Sequence, residues 1–262
     1  MELKEKYTMD DLLEIMKILR GENGCPWDKV QTNESILPNL LEEAYEAVDS
    51  FQKNDIKGFA NELGDVLLQV VFHAEIAKDK NSFNLDDILY ELCTKLITRH
   101  SHIFGTDKAE NVEEALDTWA KNKEKEKKNK TYTDRVLDVP HGFPALMRAQ
   151  KVQKRAAEAG LDWKNIEGVF DKIKEEIKEV QNATTEKERE EEIGDLLFSV
   201  VNLSRHLKVD SETALLKANV KFIERFSEVE KLVLSENKSM EELSIEELDD
   251  YWSKIKQNND KK

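Results

Sequence analysis

The stretch IKEEIKEVQNATTEKEREEEIGD, residues 173–195, decides the fold. It carries Glu175, Glu176 and Glu179, then a polar interval, then Glu192 and Asp195. Glu176 and Glu179 stand three apart, as do Glu192 and Asp195. Helical geometry puts both members of such a pair on one face, about a turn apart. Two such helices packed antiparallel bring four carboxylates to one spot, where they repel unless a cation lies between them. A hard divalent ion prefers oxygen ligands, and Mg²⁺ held by carboxylates commonly takes phosphate oxygens as its other ligands.

Composition agrees with a helical protein. Of 262 residues 36% are charged, with only 9 Gly and 4 Pro, and alternating β-branched runs bounded by turn signals are hard to find. An all-α protein is expected. The formal net charge of −15 argues against a nucleic-acid surface, which needs a basic footprint. It does not exclude a phosphate substrate, since a bound metal and a few lysines invert the charge locally. Cys25 and Cys93 offer no disulfide framework and fit a reducing compartment. The start, MELKEKYTMDD, has no signal-peptide pattern and no apolar run reaches membrane-spanning length, so a cytoplasmic protein without a membrane partner is expected.

Outward from the acidic stretch the chain reads as helices. Asp10–Arg20 has an apolar stripe and ends at Gly21; Cys25-Pro-Trp-Asp28 reads as a turn with a bulky anchor. Leu37–Lys53 carries Glu42, Glu43 and Glu46, and Phe59–Lys78 carries Glu62 and Asp65 ahead of VLLQVVFHAEIA, apolar nearly all round and so expected at the centre of a bundle. Leu85–His100 and Val112–Lys128 follow, the latter ending in the charged run KNKEKEKKNK. Pro140-His-Gly-Phe-Pro144 cannot continue a helix, and residues 131–144 read as a linker.

Beyond the linker the order returns. Leu146–Gly160 leads to Trp163 as the first helix leads to Trp27. Glu175-Glu176-x-x-Glu179 repeats Glu42-Glu43-x-x-Glu46, and Glu192-Ile-Gly-Asp195 repeats Glu62-Leu-Gly-Asp65. Lys221 and Arg225 match Lys95 and Arg99; Trp252 and Lys256 match Trp119 and Lys123. Retained order with small changes in spacing is the mark of a duplicated unit. Two domains are expected, 1–130 and 145–262, with Ser235–Lys262 closing the second copy.

One Glu-x-x-Glu in a chain with 55 Asp plus Glu is an ordinary solvated helix face; two pairs in fixed order, each repeated, are not. Gly64 and Gly194, between Glu and Asp in each copy, suggest close helix approach beside the acids, or a chance loop-edge glycine. Lys221 and Arg225 share a face and could neutralise phosphate oxygens or form a salt-bridged surface. Trp252 with Lys256 could give a base platform and a phosphate or ribose contact, or Trp252 could be core. Lys172 is a further substrate candidate; the first copy has Asn39 there, which favours the second copy as catalyst. His100-x-His102 lacks the frame of a transition-metal site, and no Gly-x-x-x-x-Gly-Lys-Ser/Thr loop is present.

The segments GCPWDKVQT, LLEEAYEAVD, ELGDVLLQVVFHAEIA, KLITRHSHIFG, RAQKVQKRAAEAGLDW, EEIKEV, EIGDLLFSVVNLSRHL and NVKFIERF resemble the MazG family of nucleoside triphosphate pyrophosphohydrolases, in the all-α NTP pyrophosphatase superfamily. The signature is Glu-Glu-x-x-Glu, a variable gap, then Glu-x-x-Asp; the gap is fifteen residues in the first copy and twelve in the second. Asn33 departs from it, standing where a histidine is expected. The resemblance implies two tandem helical-bundle domains and Mg²⁺-dependent cleavage of NTPs or dNTPs to monophosphate and pyrophosphate, with the second domain the stronger site. It implies Glu176, Glu179, Glu192 and Asp195 as metal ligands, and Glu43, Glu46, Glu62 and Asp65 in the first copy. Glu175 becomes a possible general base, with Lys221 and Arg225 stabilising the leaving pyrophosphate. A homodimer is implied as well. The alternative is a nucleotide-sensing regulator without useful catalysis.

Overall fold

The computed structural model describes residues 2–126 and 131–259, and every regular element among them is helical. The protein is all-α. Two compact units divide at Lys128 and Asn129. No helix among the described residues is long and apolar enough to cross a membrane.

The first unit contains α1 (Met9–Arg20), α2 (Pro26–Val30), α3 (Asn33–Gln52), α4 (Ile56–Asp79), α5 (Leu85–Arg99), α6 (Ser101–Phe104) and α7 (Val112–Glu126). Local chemistry sets the starts. Thr8 with Asp11, Thr32 with Ser35, and Asn84 with Asp87 form reciprocal capping boxes, while Asp55 caps α4 through Gly58 N. A three-residue link joins α3 to α4, which pack along each other as an antiparallel hairpin. Met16, Ile36, Val71, Phe72 and Ile76 form the core, with Leu12, Leu13 and Leu68 against it.

The second unit contains α8 (Tyr132–Leu137), α9 (Ala145–Glu158), α10 (Ile166–Asn182), α11 (Glu186–His206), α12 (Ser211–Ser235), a short 3₁₀ turn at Met240–Glu242, and α13 (Ile245–Asn259). The α10–α11 hairpin has a three-residue link and a capping box of Thr185 with Glu188. Val229, Val233 and Tyr251 make a core cluster between α12 and α13, with Trp252 and Ile255 packed on it. The stretch read as linker holds α8, which packs on α9.

Two sequence expectations are corrected. Cys25–Asp28 is not a turn but the start of α2, because Pro26 sits at the first helical position, where its missing N–H costs nothing. Nor do Gly64 and Gly194 mark a close helix approach: a Cβ on either meets nothing within 4 Å. Helix α4 is central over one half only. Gln69, Val71, Phe72, Ala74, Ile76 and Ala77 are buried, whereas Leu63 and Leu67 are exposed. Residues 127 and 128 of the expected Val112–Lys128 helix, and 260–262 of the closing segment, lie outside the described residues.

These glycines give a direct contrast. Gly64→Ala and Gly194→Ala should each raise stability by about 0.5–1 kcal/mol, since helical alanine is favoured and no neighbour is displaced. Gly168→Ala should lower it, because its Cβ would lie 2.6 Å from Trp163 Cε3. Thermal or urea unfolding of the three variants tests this; the same sign for all three would contradict it.

Candidate metal and phosphate site

Each unit places its two acidic pairs on the two arms of a hairpin. In the first, Glu43 and Glu46 ride on α3, Glu62 and Asp65 on α4. Glu43, Glu62 and Asp65 each present a carboxylate oxygen within 4.8 Å of the others. Asn61 Nδ2 donates to Asp65 Oδ2 at 3.2 Å. Burial, then Asp65, Glu46 and Glu62, push the Glu43 carboxyl above the usual range.

In the second unit Glu176, Glu192 and Asp195 form the matching group within 4.8 Å, and Glu175, Glu176 and Glu179 form another on α10. Glu176 is 2% exposed. Its Oε1 lies 2.6 Å from Lys172 Nζ, while its Oε2 is buried with no hydrogen-bond partner. A buried carboxylate oxygen without a partner is costly and marks a position that a bound ligand would satisfy. Burial, then the Glu176 and Asp195 carboxylates, raise Glu192; burial, then Glu176, raise Glu179. Three converging carboxylates, Glu176, Glu192 and Asp195, one with an orphaned oxygen, and Glu179 in a second group that shares Glu176, fit a hard divalent cation.

The cationic and aromatic candidates are placed differently. Lys172 reaches the cluster, pairing with Glu175 Oε1 at 2.7 Å as well as Glu176, and these contacts hold its pKa above the usual range. Glu175 is exposed and pairs with that lysine. Lys221 and Arg225 lie on α12 and Lys256 on α13, without an ion pair to the acids among the described residues. Trp252 is half-buried on α13 against Phe222, ring centroids 5.1 Å apart. It packs on the α12–α13 core and lines an open cleft with Ile245, Leu248 and Asp249, so core and base platform are compatible. In the first unit the matching Arg99 is held by Glu126 at 2.6 Å and lies over Trp119, with Lys123 over the same ring.

Two polar clusters carried no sequence signal strong enough to find them. Asp162 accepts from both Nη atoms of Arg205 and pairs with His206 Nε2 at 3.0 Å, fixing the α9–α10 connection to the end of α11. Asn33 Nδ2 donates to His73 Nδ1 at 2.8 Å and to His73 O at 3.1 Å, joining the start of α3 to α4. His100 and His102 face one another with centroids 5.7 Å apart, but no group able to hold a metal among the described residues includes them.

A family model described as the MazG nucleotide pyrophosphohydrolase domain matches residues 31–104, a span that includes the first acidic hairpin. Over 247 residues the chain is 45% identical to a nucleoside triphosphate pyrophosphohydrolase/pyrophosphatase MazG of Thermotoga maritima, covering 94% of this chain and 95% of that protein. Over 254 residues it is 44% identical to a nucleoside triphosphate pyrophosphohydrolase of Escherichia coli K12, covering 95% and 97%. An uncharacterised Bacillus subtilis protein, YabN, is 38% identical over 247 residues, covering 93% of this chain and 50% of that protein.

The crowded acids predict an unusual pH response. Glu43, Glu179 and Glu192 have folded-state pKa values raised above those of the unfolded chain, so the folded state binds protons more tightly there. In EDTA, these three groups should therefore raise stability as pH falls toward the ordinary glutamate value of about 4.3, against an opposing loss from His73, whose pKa burial lowers. Below that value stability should fall, as Asp11, Asp162 and Glu126, whose pKa values are lowered by their partners, lose their charge. Melting curves from pH 7 downward check this. The combined Glu43→Gln and Glu192→Gln variant should show a weaker initial rise, and an unchanged profile would count against it.

Proposed function

The chain belongs to the MazG nucleotide pyrophosphohydrolase family, a family of hydrolases, and we propose that it cleaves (d)NTPs to (d)NMP and pyrophosphate with Mg²⁺. The observation that carries this reading is the orphaned Glu176 Oε2 among Glu179, Glu192 and Asp195. A lone anion-binding protein has no use for such a group, whereas a metal-dependent phosphoanhydride hydrolase does.

Glu176, Glu179, Glu192 and Asp195 would hold the ion, which when bound supplies electrophilic polarisation of phosphate oxygens and lowers the pKa of coordinated water. Glu175, exposed on the same turn, accepts the proton of the attacking water. Lys221 and Arg225 neutralise charge on the departing pyrophosphate, Arg225 with a bidentate fork. Lys172 takes a further phosphate oxygen. Trp252 stacks on the base and Lys256 contacts phosphate or ribose.

The second unit is the favoured site, because Lys172 lies within it where the first unit has Asn39. Glu43, Glu46, Glu62 and Asp65 form a second ion site with less to offer a triphosphate. We also assign residues 1–130 and 145–262 to two tandem MazG-like domains joined by 131–144. A homodimer is supported by the exposed apolar faces of both hairpins: Leu37, Leu41, Tyr45 and Val48 on α3, and Ile193, Leu197 and Val200 on α11. Two free cysteines accord with a reducing, cytoplasmic setting.

With each NTP and Mg²⁺ in H₂¹⁸O, the products should be NMP and pyrophosphate with label in the NMP. NDP with orthophosphate would refute the reaction. Glu176→Gln or Asp195→Asn should lower turnover by roughly a hundredfold or more while leaving the helical circular-dichroism signal intact. Glu43→Gln should cost much less. Light scattering should give twice the chain mass.

A further inference from the structure

We propose that Lys172 is a resident counter-cation of the α10–α11 cluster: its ammonium occupies Glu176 until a divalent ion takes that carboxylate, and it is then released to a phosphate oxygen of the nucleotide. The inference rests on the proposed metal site and adds to it an exchange that couples ion and nucleotide.

The geometry is specific. Lys172 stands one helical turn before Glu175 and Glu176, at the spacing that brings side chains together. Its Nζ lies 2.6 Å from Glu176 Oε1 and 2.7 Å from Glu175 Oε1. Glu176 is buried beside this ammonium, and its other oxygen is buried without a partner in a residue that also belongs to the group with Glu192 and Asp195. A divalent ion held by Glu176, Glu192 and Asp195 would stand close to that ammonium. Two positive centres competing for one carboxylate repel, and the more mobile one leaves. Lysine suits this, being a compact charge on a flexible stem. Its side chain is 37% exposed, so it can swing away without opening the core. No proton is transferred; the ammonium exchanges one anionic oxygen for another.

The first unit supplies a natural contrast. Asn39 replaces Lys172 at the matching position of α3, four residues before Glu43. No ammonium or guanidinium pairs with Glu43, Glu46, Glu62 or Asp65 among the described residues. That cluster has nothing to displace. It therefore takes an ion without nucleotide, whereas the second binds its ion weakly until a triphosphate accepts the ammonium. Binding is reciprocal: beyond any direct contact of ion with phosphate, the exchange makes ion and nucleotide strengthen one another in the second unit only.

Mn²⁺ titration of the full chain, with free ion followed by electron paramagnetic resonance, tests this without turnover. A Glu43→Gln/Asp65→Asn background reports the second unit; a Glu176→Gln/Asp195→Asn background reports the first. In the first background, Lys172→Met should tighten Mn²⁺ binding about tenfold without nucleotide. It should also reduce the further tightening produced by an α,β-methylene triphosphate. In the second background, Asn39→Lys should weaken Mn²⁺ binding by a similar factor. That variant unpairs no buried acid, so it decides the matter should Lys172→Met fail to fold by circular dichroism. Unchanged or weaker binding in folded Lys172→Met, or unchanged or tighter binding in Asn39→Lys, overturns the exchange. No Mn²⁺ binding to the second unit, with Lys172 present or replaced, overturns the metal-site reading as well.

Discussion

Repulsion between carboxylates forced onto facing helix turns is the constraint around which each unit is arranged. The hairpin brings Glu43, Glu62 and Asp65 together in one copy and Glu176, Glu192 and Asp195 in the other. Folding alone would keep such groups apart. Their convergence is sustained because the hairpins gain stability elsewhere, from buried Val71, Phe72 and Ile76 on α4 and from Val169, Ser199 and Val201 on α10 and α11. Burial first, and then this repulsion, raise the pKa values of Glu43 and Glu192, and in the second unit Lys172 offsets part of the repulsion.

The copies share a plan but differ in how their charges are matched. Beyond the acids, the α3 arm is a turn longer than the α10 arm, which accounts for the longer gap in the first signature. In the first unit Arg99 is bound by Glu126 and stacked on Trp119. The chain carries Asn259 where the repeat would place a partner of that kind for Arg225. Both halves thus keep the acidic pattern and the cations matching Lys221, Arg225 and Lys256, while Lys172 stands where the first half has Asn39.

Much of this was legible in the sequence because it rests on local rules. Helix existence followed from apolar period and the acid pairs from spacing alone, whereas α3 and α4 begin earlier than the expected Leu37 and Phe59 because Thr32 and Asp55 cap them. What escaped was tertiary. Helix α2 was missed because five residues show no period, although Pro26 was a start signal. The glycines beside the acids were misread because a helical glycine gives no clue whether its missing Cβ faces a neighbour or open space. The i, i+4 spacing of Lys172 and Glu176 was visible, yet their pairing depends on Glu176 being buried, which spacing cannot specify. The Arg205–Asp162 contact joins residues 43 apart, beyond the reach of any local pattern.

The second acidic helix of each unit is fastened at one end. Arg20 bonds Asp79 at 2.7 Å where α4 finishes, and Arg205 and His206 bond Asp162 where α11 finishes. Burial is concentrated in those same halves, while Glu62, Asp65, Glu192 and Asp195 sit in the less buried opening turns. Charge and packing thus occupy opposite halves of each helix, so a change of side chain among the acids leaves the buried half of α4 or of α11 untouched.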